Sequence, residues 1–202
     1  MIIGDPSTFA IESGATCAYE RLSFRALGYF QIHIRGRCFG VRAPDASMLA
    51  CSLGEVEDRI ARRGLHIAPF ATESGGDIAD AIGVANYAPE EEGKKLFGMS
   101  QAELSTYFHS QHLIWAPDGD EAFDDGSFVL QFDVGDRVRL IGFRSGDDYL
   151  HNPATLADLW LDASAFYEIL DQWRSSFLAE WQAAKKVSEK EDQKAQQGEA
   201  GL

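Results

Sequence analysis

The stretch Ser127-Phe-Val-Leu-Gln-Phe-Asp133 decides the fold, together with Val134-Gly135-Asp136 and Arg137-Val-Arg-Leu-Ile-Gly-Phe-Arg144, which follow it. Apolar residues recur at every second position, at Phe128, Leu130 and Phe132 in the first run and at Val138 and Leu140, followed by Gly142, in the second. A period of two places these side chains on one face of a strand. Two such runs joined by a glycine-containing turn are typical of a hairpin. The sequence therefore predicts an antiparallel pair of strands over 127–133 and 137–144.

A second hairpin is predicted near the N-terminus. In Leu27-Gly-Tyr-Phe-Gln-Ile-His-Ile34, one face carries Phe30, Ile32 and Ile34, and the other carries Tyr29, Gln31 and His33. Arg35-Gly36-Arg37 has the composition of a turn, and Pro44 ends the return strand over 37–42. We expect both hairpins to belong to one antiparallel sheet.

The last element is predicted to be a long amphipathic helix over 162–184. Asp162 is its expected N-cap, and the apolar side chains Phe166, Ile169, Leu170, Trp173, Phe177 and Trp181 recur at helical spacing. Shorter helices are expected after Ser52-Leu-Gly-Glu55 and Ser100-Gln-Ala-Glu103, which have the capping-box pattern, and after Asp77. Together these patterns predict one α+β domain over residues 1–186, an antiparallel sheet of hairpins packed on a long C-terminal helix with short peripheral helices. The segment 187–202 is expected to be a disordered polar tail, because it has no periodic apolar residues.

Charge is distributed unevenly along the chain. The formal net charge is −14 over 202 residues, yet residues 1–66 hold eight Arg and seven Asp or Glu. The excess of acid therefore lies further along, in two clusters between positions 90 and 125. Such a surface repels phosphate backbones, so direct nucleic-acid binding is not expected; it would steer a basic partner. From charge alone, the predicted partner-binding residues are Glu90, Glu91, Glu92, Asp118, Asp120, Glu121, Asp124 and Asp125.

Nothing in the sequence indicates an enzyme, a cofactor or a metal site. Glycine-rich nucleotide loops and the serine-hydrolase motif are missing from the sequence. His109 and His112 have ligand spacing, but we expect His112 to lie beyond the helix and no local residue completes a zinc site. The run 118–126 fails the calcium-loop pattern at Ala122 and Phe123. Carboxylates of these clusters could still form a hydrolytic pair, although the sequence selects no pair.

The expected location is the cytoplasm. The chain shows no signal peptide and no apolar run of membrane-spanning length. Cys17, Cys38 and Cys51 are odd in number and lack C-x-x-C spacing, which favours a reducing compartment. We expect these cysteines to be small buried apolar side chains.

Three blocks of the sequence resemble the immunity protein 42 family of bacterial polymorphic toxin systems. The first is Met1-Ile-Ile-Gly-Asp-Pro6 with Phe9-Ala10-Ile11. The second is Phe123-Asp-Asp-Gly-Ser127, continuing through Val129-Leu-Gln-Phe-Asp133 and Val138-Arg-Leu-Ile141. The third is the C-terminal region with Trp160, Phe166, Tyr167 and Trp173. The blocks span most of residues 1–185.

The resemblance implies an α+β protein without catalytic activity. It implies binding and neutralisation of a cognate toxin that a neighbouring cell delivers. A toxin acting in the cytoplasm, such as a nuclease with a basic cleft, would fit an acidic antidote. Two other classes stay open: a hydrolase, which would show a deep pocket lined by two or more acids, and a regulatory protein-binding module. The sequence leaves the toxin's identity and the oligomeric state open.

Overall fold

Each predicted hairpin lies in a sheet of its own. The computed structural model describes residues 1–187. In that part of the chain the elements, in order, are β1 (Ile2–Gly4), β2 (Phe9–Tyr19), β3 (Ala26–Ile34), β4 (Arg37–Phe39), β5 (Ser47–Met48), α1 (Leu49–Ala61), α2 (Gly75–Tyr87), α3 (Gln101–Ser110), β6 (Ile114–Ala116), β7 (Ser127–Val134), β8 (Arg137–Arg144), β9 (Ala157–Asp162), α4 (Ala163–Ala183) and β10 (Lys186–Val187). This composition confirms the α+β class.

The expectation of one sheet was wrong. The first sheet has the order β1-β2-β3-β4, with β5 also pairing β3 and β10 pairing β2 in parallel; the second has the antiparallel order β6-β7-β8-β9. The return strand β4 ends at Phe39, three residues before the predicted end, because the amide of Val41 turns away to the carbonyl of Ala122. The two sheets then meet by packing: a Cβ on Gly142 would come within 2.5 Å of the Phe39 ring.

The β7–β8 hairpin is buried on both faces. Phe128, Leu130 and Phe132 share one face, as predicted. They lie opposite Phe143, Ile141 and Arg139 on β8. This face packs on α2 and α3. The opposite face, with Val129, Val138 and Leu140, packs on α1, α4 and the first sheet. Burial on both sides explains why apolar residues occur on both faces of this hairpin.

The C-terminal helix begins and packs as predicted. Asp162 Oδ1 accepts a hydrogen bond from the Ala165 amide, and Trp173 and Phe177 are buried against the first sheet and α1. The indole of Trp173 stacks on Phe177 with ring centroids 5.4 Å apart and donates to Ser13 Oγ. These contacts fix α4 across the first sheet.

The shorter helices follow the sequence signals unevenly. The capping box of Ser100 and Glu103 forms and begins α3. The predicted box at Ser52 and Glu55 does not, because α1 already begins at Leu49 and the two side chains lie inside it. Ser52 instead bonds the Ser47 hydroxyl, and Glu55 pairs with Arg59. Helix α2 is capped by Ser74, which accepts from the amide of Asp77, so Asp77 lies in the first turn and is not the cap.

A buried polar network joins the second sheet to α1 and α4. The guanidinium of Arg59 donates to the carbonyls of His112 and Ile114, at 2.8 and 2.6 Å. Asp133 accepts from the amides of Gly64 and His66 and from the Tyr167 hydroxyl. Burial raises the pKa of Tyr167, and the nearby Asp133 carboxylate raises it further. Burial also lowers the pKa of Arg59, against the effect of Glu55.

Three further expectations concern the surface and the end of the chain. Cys51 is exposed and Cys17 and Cys38 are half-buried, so they are not the buried apolar side chains that were expected. Val187 pairs with Tyr19 in β10, which places it in a strand and not in the tail; residues 188–202 lie outside the described part. In residues 1–187 no helix is long and apolar enough to cross a membrane.

Candidate partner-binding surface

The second predicted acidic cluster divides into carboxylates that shape the backbone and carboxylates that face solvent. Asp120 Oδ1 accepts from the amide of Ala122 at the start of a short 3-10 turn. Asp125 accepts from the Ser127 amide and pairs with Arg144 at 2.9 Å. Glu121 and Asp124 are exposed, and their side chains form no hydrogen bond or ion pair within residues 1–187. Asp120 and Asp125, and not Asp124, therefore shape this turn.

The first predicted cluster lies in the connection between α2 and α3. Glu90, Glu91 and Glu92 are all exposed. Glu91 pairs with Lys94 at 2.8 Å, whereas Glu90 and Glu92 make no ion pair within the described chain. The free charges of the two clusters are therefore Glu90, Glu92, Glu121 and Asp124, which we call the free quartet.

Asp118 belongs to a different feature, a cleft between α2 and the loop 145–150. The cleft has a volume of about 460 Å³. Helix α2 contributes Ala79, Gly83 and Tyr87, the hairpin contributes Phe128 and Phe143, and the rest of the wall comes from Asp118 and the loop. The stacked rings of Phe128 and Phe143 form an apolar floor, with centroids 5.1 Å apart. We call this feature the α2 cleft.

The C-terminal side of the loop 145–150 is held on α2 at two points. The carbonyl of Tyr149 lies so close to the helix that a Cβ on Gly83 would come within 2.1 Å of it. The carboxylate of Asp80 accepts from both the amide and the Nδ1 of His151, at 3.0 and 2.6 Å. Asp148 and Tyr149 adopt positive φ angles of 55 and 64°. Such a backbone is rare outside glycine and persists because its surroundings hold it.

The cleft carries negative charge that the described chain does not neutralise. Its lining includes Asp118, Asp147 and Asp148, and none of the residues that line it is basic. Asp118 accepts a hydrogen bond from Ser145 Oγ at 3.2 Å. Burial raises the pKa of Tyr87, and the Asp118 carboxylate adds to this effect. The tyrosine at the mouth of the cleft therefore keeps its proton.

Large apolar side chains surround these acids at the surface. Tyr87, Tyr149 and Leu150 are 51, 48 and 44% exposed. Tyrosine is enriched in the energetic centres of protein interfaces, since it offers contact area at low entropic cost. Of the predicted residues only Asp118 lies here; the sequence reasoning missed Tyr87, Asp147, Asp148, Tyr149 and Leu150. The signal was Asp147-Asp-Tyr-Leu150, an aromatic and an aliphatic residue directly after a polar turn.

The described residues contain no cluster of three or more His, Cys, Asp or Glu side chains suited to a metal ion. His112 lies beyond α3, as predicted, with a positive φ of 49°, and it uses its carbonyl to accept from Arg59 and His66. His109 lies in the last turn of α3. The two imidazoles therefore belong to different local structures.

Comparison with known proteins agrees with this architecture. The crystal structure of CdiI from Burkholderia dolosa AUO158 aligns with a TM-score of 0.53 at 16% sequence identity, covering 87% of this chain and 99% of that one. At this identity the likeness shows a shared fold. A search of curated protein sequences finds no significant match. The family model of immunity protein 42 matches residues 1–176. Because that match spans nearly all of the described chain, the protein belongs to the immunity protein 42 family.

Proposed function

We propose that this chain binds a cognate polymorphic toxin and neutralises it by stoichiometric protein–protein contact. The observation that carries the proposal is the match of residues 1–176 to the immunity protein 42 family. The described surface agrees with binding, since it offers an open cleft with exposed tyrosines. The protein would act without catalysis and without a cofactor.

We further propose that the toxin is basic and acts in the cytoplasm, as a nuclease does. The net charge of −14 and the free quartet would attract a cleft built to hold phosphates. Charge complementarity of this kind raises association rates roughly 10- to 1,000-fold at low salt. Speed matters for an antidote, because free toxin acts until it is captured.

The experiment first produces the protein encoded immediately upstream without this chain, to establish that it carries a toxin domain. Co-expression with this chain should restore growth of cells that produce the toxin, and the purified pair should elute as a stable complex of defined stoichiometry. An unrelated acidic protein of similar net charge is the control, and it should not protect. Failure of the chain both to protect and to form a complex would refute the proposal.

A hydrolase is the second candidate, because three carboxylates line the α2 cleft. The geometry favours binding over hydrolysis. Asp147 and Asp148 are exposed, and the hydroxyl of Ser145 is engaged with Asp118 and the Gly126 carbonyl. A hydrolytic activity of the parent that is lost in the double variant Asp147→Asn/Asp148→Asn would instead favour an enzyme. The third candidate, a regulatory binding module, would bind a partner unrelated to the upstream protein.

A further inference from the structure

We propose that the α2 cleft receives a Lys or Arg side chain of the toxin and is the anchor that sets the lifetime of the complex. This inference rests on the proposed function and adds the location and the chemistry of the contact. The charge of the whole surface would then govern how fast the partners meet, and the cleft would govern how slowly they separate.

The walls of the cleft suit a long cationic side chain. Phe128 and Phe143 form the apolar floor, and Tyr87 contacts Phe128 edge-on with centroids 6.3 Å apart. The methylene stem of Lys or Arg packs on such surfaces, and its charged end is attracted to tyrosine rings. A volume of about 460 Å³ falls within the range of clefts that bury ligands. An aliphatic side chain would leave the carboxylates of the cleft without a counter-charge, and an acidic side chain would be repelled by them.

The charge of the cleft selects a cation. Elsewhere in this region acids have partners: Asp125 pairs with Arg144, and Asp80 pairs with His151. Asp118, Asp147 and Asp148 have no ion pair within residues 1–187. Carboxylates left without a counter-ion at an apolar cleft offer charge-assisted hydrogen bonds to an incoming guanidinium or ammonium group. The complementarity is therefore local to the cleft, in addition to the overall charge.

The loop is already ordered before any partner binds. The amide of Gly146 donates to the carbonyl of Leu150, and the amide of Leu150 donates to the carbonyl of Asp147, at 2.8 and 3.1 Å. The close contact at Gly83 and the Asp80–His151 pair hold this loop on α2. Because the binding geometry exists in the free protein, little ordering entropy is lost on association. Preorganised anchors of this kind act mainly on dissociation.

The test compares dissociation rates from the upstream toxin domain, measured by surface plasmon resonance at fixed salt. Two cleft variants are used, Asp147→Asn/Asp148→Asn and Tyr149→Asn. Asn tolerates positive φ, so these changes remove charge or the ring and keep the loop backbone. The matched control is Glu57→Gln/Asp58→Asn, which removes two exposed charges from α1. Melting temperatures confirm that each variant is folded.

We expect each cleft variant to dissociate at least about 30-fold faster, the size of a typical interface hot spot, while the control dissociates like the parent. The toxin's basic residues are also replaced one at a time by Met. At one position, the toxin variant should dissociate equally fast from the parent and from the cleft variants. If the parent binds and the cleft variants dissociate at the parental rate, the cleft is not the anchor, although the proposed function stands. If the parent itself does not bind, the proposed function fails.

Discussion

His66 is a buried imidazole whose second nitrogen has no partner in the described chain. Its Nδ1 bonds the carbonyl of His112 at 2.9 Å, while Nε2 is buried and unbonded. Burial lowers the pKa of His66, and the Arg59 guanidinium lowers it further, against a smaller opposing effect of Asp133. The native protein therefore holds this ring neutral under conditions in which the unfolded chain would protonate it.

This predicts a loss of stability on mild acidification. Because the folded pKa lies below the unfolded value of about 6.5, the unfolded state binds more protons as pH falls through that value, and stability falls with it. Thermal unfolding followed between pH 7.5 and 5.0 should show a steeper decline for the parent than for His66→Gln. Parallel curves would mean that the pKa of His66 does not differ between the folded and unfolded states. Asp5 and Glu103, whose pKa values are lowered by hydrogen bonds from Ser7 and Ser100, act only at lower pH.

Trp173 is the largest side chain that is fully buried. It joins α4 to the first sheet through Phe30, at 5.1 Å between centroids, and through its bond to Ser13. Trp173→Ala should lower the free energy of unfolding by about 3–5 kcal/mol, since it opens a cavity and leaves a buried hydroxyl without its donor. Denaturant unfolding measures this loss. Trp160→Ala, on the half-exposed face of β9, is the matched control and should cost clearly less; equal losses would show that burial does not decide the effect.

Some roles of single residues could be predicted where the partner is local in sequence, although the capping predictions at Glu55 and Asp77 were wrong. The capping carboxylates of Glu103 and Asp162 act on amides three residues away, and both predictions are confirmed. The role of Asp133 could not be predicted, because its partner Tyr167 comes from another element. The predicted acidic site remains a proposal; charge alone indicated Asp118 but could not indicate Asp147 or Tyr149, which become neighbours only through the contact with α2.

At the scale of elements, the contact between α2 and the loop 145–150 depends on the absence of a side chain at Gly83. Alanine normally stabilises a helix relative to glycine by up to about 1 kcal/mol. At Gly83 a methyl group would meet the Tyr149 carbonyl at 2.1 Å, whereas at Gly54 in α1 it would meet nothing within 4 Å. The same substitution at these two helix positions therefore separates the intrinsic helix effect from the contact.

We predict that Gly54→Ala gains up to about 1 kcal/mol in free energy of unfolding and leaves toxin binding unchanged. Gly83→Ala should gain nothing and should speed dissociation of the toxin, because the loop is pushed off α2 while every cleft side chain is kept. Chemical denaturation and dissociation kinetics measure the two effects. If Gly83→Ala gains stability like Gly54→Ala and binds like the parent, the loop position does not matter.

The existence of most elements could be predicted from periodicity, but their assembly could not. The period of two predicted both hairpins, and the helical period predicted α4, because each pattern reflects the local geometry of a strand or a helix. The division into two sheets depends on where β4 ends and on the contact between Phe39 and Gly142. These two residues lie about 100 positions apart in the sequence. Strand β2 was missed, because only Phe9–Ile11 is an apolar run and the longer part, Glu12–Tyr19, carries mostly small and polar residues.

At the scale of the whole molecule, charge and contact are placed on different residues. The free quartet is exposed and bonds nothing in residues 1–187, so it can act at a distance without holding the fold. The α2 cleft combines charge with aromatic surface and a fixed loop. A binding protein arranged in this way should associate fast through the first feature and dissociate slowly through the second.

The central claim is that an acidic surface captures a basic toxin. The most direct test is the association rate constant with the upstream toxin domain, measured by stopped flow from low to high salt. The variants are the quartet reversal Glu90→Lys/Glu92→Lys/Glu121→Lys/Asp124→Lys and a control of equal charge, Glu20→Lys/Asp45→Lys/Glu57→Lys/Asp58→Lys. The parental rate should fall steeply with salt, and at low salt the quartet reversal should be slower by about 10-fold or more, with the control much closer to the parent. A parental rate that is independent of salt, or a quartet reversal that associates as fast as the parent, would contradict the account.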